Sequence, residues 1–174
     1  MLAEDMREKA RLKYSSDSRG ALIKAVTSDG SLSMVLYRLM QGSHDMGIPV
    51  VSGSLELLFN RLNSMFGGAV IGRGADFGPG FVLIYSNGVV INGRVKGGER
   101  VHIHHEVTIG DDLEGDVPTL GSDIHIGAGA KVIGGVTVGD GARIGANAVV
   151  VHDVEANTTV VGIPARAVRR REKS

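Results

Sequence analysis

The chain has 174 residues, which suits one ordinary domain with at most a small attachment, and it sets 19 Lys and Arg against 19 Asp and Glu. That balance gives no long-range field for nucleic acid or an anionic membrane, no apolar run is long enough to span a bilayer, and no cysteine is present for disulfide or thiolate chemistry. With 43% hydrophobic but only 4% aromatic residues, the core must be built from Val, Ile, Leu and Ala, and 26 glycines fit a chain that turns very often.

From the N-terminus, Met1 to Lys13 is charged, with Glu4, Asp5 and Glu8 early and Arg7, Lys9, Arg11 and Lys13 later. That order suits a helix dipole, and it lets Glu4 meet Arg7 and Glu8 meet Arg11 at helical spacing. No secretory pattern occupies Met1 to Gly20, so a cytoplasmic protein is expected. Asp17 to Thr27 and Ser31 to Met40 carry apolar residues at intervals of three and four, which predicts two short helices around a turn at Ser28 to Ser31. Ile48-Pro49 interrupts, and Ser54 to Phe66 reads as a further helix stopped by Gly67-Gly68. Residues 1–66 are thus expected to form a helical region that caps one end of the C-terminal two-thirds of the chain.

From about Ile71 the chain repeats every six residues. Apolar side chains fall at Ile71, Phe77, Leu83, Val89, Val95, Val101 and Val107, and again at Ile126, Val132, Val138, Ile144 and Val150. A fixed hexapeptide period is the mark of a parallel β-helix, here expected over 67–164. Three hexads make a triangular coil, so residues eighteen apart are expected to stack at about 4.8 Å. Four places after each apolar residue the side chain is often small (Ala75, Ala130, Val136, Ala142, Ala148), as a coil corner requires. Residues 111–120 break the count and are expected to project as a loop, and 165–174 leave the repeat as a basic tail.

The run from Ile126 to Val150, followed by Val161-Gly162-Ile163-Pro164-Ala165-Arg166, closely resembles the hexapeptide-repeat acyltransferases. Within them it is most similar to the serine acetyltransferases and the small capsule and sugar O-acetyltransferases. The resemblance extends loosely to Leu36, through Tyr37-Arg38-Leu39 and Gly47-Ile48-Pro49. It implies a mainly β fold, a left-handed parallel β-helix preceded by a small helical region. It also implies a homotrimer with acetyl-CoA lying in the cleft between two subunits. Gly129, Ala130, Gly145, Ala146 and Gly162 offer backbone without side-chain bulk to a pantetheine arm, while Lys131, Arg166 and Arg169 are suited to its phosphates. The plainer reading makes these glycines coil corners and the arginines a solvated tail.

Acetyl transfer to an alcohol needs a general base and donors for the thioester oxyanion. The serine acetyltransferases carry their main histidine in a pattern like Leu-Asp-His-x-x-Gly, and the matching stretch here is Leu83 to Gly88, with Ile84 and Tyr85 in place of the Asp and His. The family's supporting Asp aligns with Val70, and its second His with Val117 before Pro118. Three histidines crowd into Val101 to Glu106 instead, where the small-corner pattern also lapses at Asn87, Glu99 and His105. Asn87 is expected to stack on His105, and Ser86 on His104.

The expected activity is therefore acetyl transfer from acetyl-CoA to a small-molecule acceptor, serine, a sugar or another alcohol. His105 or His104 is the base, Asn87 holds the imidazole or the acceptor, and Tyr85 orients the acceptor or donates to the oxyanion. His102 is expected at solvent or an interface. A structural role between coils is the competing reading for His104. A non-catalytic trimeric scaffold or CoA-binding relative is the alternative function, with a zinc enzyme resembling γ-type carbonic anhydrases, drawing in His125, a distant third. The ending Arg171-Glu172-Lys173-Ser174 lacks the isoleucine tip of chains that dock into cysteine synthase, so no such complex is expected.

Overall fold

A computed structural model describes residues 1–44 and 49–168. Four helices come first: α1 (Leu2–Tyr14), α2 (Arg19–Val26), α3 (Ser31–His44) and α4 (Pro49–Leu62). Acidic Glu4 and Asp5 open α1 and basic Arg11 and Lys13 close it, as its dipole favours. Glu8 meets Arg11 at 3.9 Å, whereas Glu4 pairs with the N-terminal ammonium at 3.8 Å rather than with Arg7. Helix α3 runs beyond the expected Met40. Helix α4 starts at Pro49, a residue suited to a first helical position, and ends at Leu62 in a π-turn over Asn63–Gly67. The Gly47-Ile48 part of the expected interruption lies outside the described residues.

The helices are locked to the barrel by a buried ion pair. Arg38 of α3 donates from Nε to Asp5 Oδ2 at 2.7 Å and from Nη2 to Asp5 Oδ1 at 3.0 Å. Asp5 also accepts from the amides of Gly80 (2.8 Å) and Phe81 (3.1 Å), and Arg38 donates to the carbonyls of Phe77 and Gly78. Each lone pair and donor so used offsets the desolvation of these charges, which are nearly or wholly out of water. Tyr37 adds a second tie, donating to the Ala75 carbonyl at 3.1 Å and accepting from the Phe77 amide at 3.0 Å.

The second half is the expected parallel β-solenoid, of about five coils. The first coil holds β1 (Ala69–Ile71), β2 (Asp76–Phe77) and β3 (Val82–Leu83), and the second β4 (Val89–Ile91), β5 (Lys96–Gly97) and β6 (His102–Ile103). The third holds β7 (Thr108–Gly110), β8 (Thr119–Leu120) and β9 (His125–Ile126), and the fourth β10 (Lys131–Ile133), β11 (Thr137–Val138) and β12 (Arg143–Ile144). The last has β13 (Val149–Val150) and β14 (Thr159–Val161), on which β15 (Arg166–Ala167) turns back antiparallel. Strands stack into three faces, in the orders β1-β4-β7-β10-β13, β2-β5-β8-β11 and β3-β6-β9-β12-β14-β15. One aliphatic core runs from Met34, Tyr37 and Met40 of α3 down to Val154 and Val160.

The register corrects the hexad phase. Ile71 pairs with Ile91 and Leu83 with Ile103, twenty residues on rather than eighteen. Two extra residues enter at the corner after β3, so from there to the loop the inward positions are Ile91, Gly97, Ile103 and Ile109. Val89, Val95, Val101 and Val107 are the second buried position of each hexad, and the lapse of the corner pattern at Asn87, Glu99 and His105 disappears. Gly97 hides the true phase because the Phe77 ring fills its inward space. Gly97 pairs with Leu120 and residues 111–118 bulge out with Leu113 fully exposed, whereas Thr119 and Leu120, counted with the loop in the sequence reading, form β8.

Candidate active site

One corner, between the β3–β6–β9–β12 face and the β4–β7–β10–β13 face, gathers nearly all the candidates. Glu106 N donates to Asn87 O (2.8 Å), Gly129 N to His105 O (2.9 Å) and Asn147 N to Ala128 O (2.8 Å). Gly88, Glu106, Gly129 and Asn147 all adopt left-handed φ between 56° and 72° there, so the chain turns identically in successive coils. Tyr85 and Asn87 head this column, His104 and His105 come next, and Gly129, Gly145, Ala146 and Gly162 lie below.

The aromatic rings choose partners the sequence did not indicate. Tyr85 meets His105 edge to face, with centroids 5.8 Å apart, and His104 at 6.5 Å. His104 packs against His125 of the next coil at 5.2 Å, not against Ser86, which is buried. Asn87 lies above His105 through its backbone, but its side-chain oxygen covers Gly68 and makes no hydrogen bond to an imidazole. It resembles Asn147, whose side chain covers Gly129, so Asn87 does not hold the base. Val70 is exposed on β1 and Val117 packs at the edge of the core.

Helix α1 covers the flank of this corner, which sequence reasoning missed. His102 is shielded beneath it, not at solvent, with Glu8 Oε1 3.3 Å from Nε2 but outside hydrogen-bonding geometry. Burial, ahead of neighbouring charges, pushes His102 and His125 down to about 4 and lowers His104 as well. These rings are therefore neutral near pH 7. Among the described residues, no group of three or more His, Asp or Glu is placed to hold a metal ion. Lys13 rests its ammonium 4.8 Å from the centroid of the Tyr85 ring. Lys9 is buried one turn earlier, donating to the Asp29 carbonyl and to Ser31 Oγ, and desolvation lowers it to about 7.

Lower on the corner, the backbone groups differ from expectation. Gly129 N–H is bonded to His105 and Gly145 N–H to Val160 O at 2.8 Å; each must be glycine because the next coil's side chain fills its Cβ space. Ala130 points into the core with both backbone groups bonded, so it has nothing left to offer a ligand. The amides of Ala128, Ala146 and Gly162 donate to no acceptor among the described residues, and Ala128 is a residue the sequence reading passed over. Lys131 Nζ donates to the Glu106 carbonyl beside this corner, Arg166 is exposed on β15, and Arg169 lies outside the described residues. A charged α1 and a repeated Gly-Ala-x-Ala corner, at Gly127 to Ala130 and at Gly145 to Ala148, were the only traces of these features in the chain.

Comparison with known proteins agrees with this geometry. The family described as bacterial transferase hexapeptide (six repeats) matches residues 118–152. A serine acetyltransferase of Helicobacter pylori is 36% identical over 144 residues, 81% of this chain and 82% of its own length. One from Synechococcus elongatus is 33% identical over 88% of this chain, of which the chain spans only 62%. The crystal structure of Neisseria gonorrhoeae serine acetyltransferase in complex with serine superposes with a TM-score of 0.82 at 27% identity, over 97% of this chain and 69% of that one. Stacked hexad coils, a helical cap locked to the first of them, and identity across four-fifths of the Helicobacter relative place this chain in the serine acetyltransferase family.

Proposed function

We propose that this chain is an acetyl-CoA-dependent O-acetyltransferase whose acceptor is a small hydroxylated molecule, L-serine first. The observation that carries the reading is the half-exposed imidazole of His105, set against Tyr85 above the unpaired amides of Ala128 and Ala146. His105 takes the acceptor hydroxyl's proton, the oxygen attacks the thioester carbonyl, and collapse expels the CoA thiolate, which recovers the proton from the imidazolium. Tyr85 donates its phenol hydroxyl to the acceptor or to the developing oxyanion. His104, neutral and packed on His125, braces the corner. The extended donor lies along the lower corner, its amide groups meeting Ala128 and Ala146, with Gly162 giving close approach. Lys131 and Arg166 face its phosphates.

The groove that holds such a donor is completed by a second copy, so the working form is a homotrimer, in the cytoplasm. The test is release of CoA thiol with L-serine, homoserine and a panel of sugars, alongside calorimetric titration with acetyl-CoA and light scattering. Turnover with L-serine in a trimer is expected. Acetyl-CoA binding without release on any acceptor would mark a non-catalytic relative and overturn the reading.

A further inference from the structure

Helix α1 works as a ruler laid along β3. Asp5 is fixed at the start of that strand by the Gly80 and Phe81 amides, and Lys13 reaches Tyr85 just past its end. Eight residues of helix advance about 12 Å, and the four or five residues from Phe81 to Tyr85 advance about 13–16 Å as extended chain, so the two elements keep step. Lys9 lies between, anchored to the α2–α3 turn, whose Gly30 is pressed against the Leu83 carbonyl. Asp5, Lys9 and Lys13 succeed one another at i, i+4 and i+8 on the buried side of the helix.

The end of this ruler is a cation without a counter-charge. Among the described residues Lys13 makes no ion pair; Asp5 is taken by Arg38, and Glu8 lies between His102 and Arg11. The ammonium is parked on the ring of Tyr85, itself in edge contact with His105. A cation held beside a reactive corner recognises an anionic group on what binds there. The unpaired amides assigned to the donor's extended arm lie two and three coils lower, about 10–14 Å away, which separates Lys13 from that arm. Resting on the function proposed above, we infer that Lys13 binds the carboxylate of the acceptor and makes this chain select hydroxy-amino acids over neutral alcohols. Lys13 is then a binding residue supplied by the cap, not by the solenoid.

The experiment compares wild type, Lys13→Met and Lys13→Arg with L-serine and with 2-amino-1,3-propanediol, which replaces the carboxylate by a hydroxymethyl group. Methionine keeps the packing on Tyr85 and removes the charge. The expected result for Lys13→Met is an about tenfold higher KM for L-serine with kcat held within about twofold, and no change for the diol or for acetyl-CoA. Lys13→Arg recovers the L-serine KM to within about threefold, since charge is what the site requires. An equal change for both acceptors, an unchanged L-serine KM, or a rise confined to acetyl-CoA would each overturn the assignment while leaving the transferase reading intact. No CoA release by the wild type with any acceptor would remove both.

Discussion

Tyr85 and His105 stand edge to face with ring centroids 5.8 Å apart, although twenty residues separate them, because two extra residues widen the corner after β3. That single irregularity brings a phenol and an imidazole to the same exposed corner, above the column of turns where the solenoid leaves amides unpaired.

His105→Ala should lower kcat for acetyl transfer by about a hundredfold or more, the share a positioned general base supplies. Its backbone bond to Gly129 survives the substitution, so thermal stability and oligomeric size should hold. His104→Ala should cost far less activity, because that ring packs on His125 away from the free edge. Equal losses in a thiol-release assay would reverse the two roles.

Asp5→Ala should destabilise the protein by about 3–5 kcal/mol, because it strands the buried Arg38 guanidinium and frees two amides of the first coil. Urea unfolding followed by circular dichroism measures this. Asp5→Asn should be milder, since it keeps an oxygen for those amides.

Stability should vary with pH in two windows. The folded chain holds Lys9 at about 7 against an ordinary 10.5, so between those values only the unfolded chain keeps the proton, and stability rises as pH increases. His102 and His125 sit at about 4 against 6.5, so stability falls as pH drops from 6.5 towards 4, where the unfolded chain alone takes up protons. Denaturant midpoints across pH should lose the alkaline slope in Lys9→Met and part of the acid slope in His125→Gln. Parallel profiles for variant and wild type would contradict this.

Gly97→Ala should cost about 1–3 kcal/mol, because a methyl group there enters the Phe77 ring, itself wedged against Phe81 at 4.6 Å. Phe77→Leu should partly relieve Gly97→Ala in the double variant, and a double-mutant cycle measures the coupling. Strict additivity would show that the two positions do not share space.

The solenoid was legible because its cause is local. Each hexad needs an apolar residue facing inward and a small or β-branched one at the corner, and that requirement recurs every six residues. The phase between Leu83 and Ile109 was misread for the same reason. Val89, Val95, Val101 and Val107 keep perfect six-residue spacing at the second buried position, while the true inward position at Gly97 is empty of side chain. A glycine filled by a neighbour's ring sends no apolar signal. The candidate imidazoles were visible as a cluster, yet the pairs they form were not, since an eighteen-residue step joins Asn87 to His105 and a twenty-residue step joins Tyr85 to it.

Spacing along the chain was enough to establish the repeat and the helices before it, and the motifs from Ile126 to Arg166 carried the resemblance to the family. It took three-dimensional packing to settle that α1 lies along β3, that Asp5 meets Arg38, and that Lys13 arrives at Tyr85. Those contacts join segments thirty to eighty residues apart through burial and charge, and one-dimensional periodicity carries no record of which distant surfaces will exclude water together.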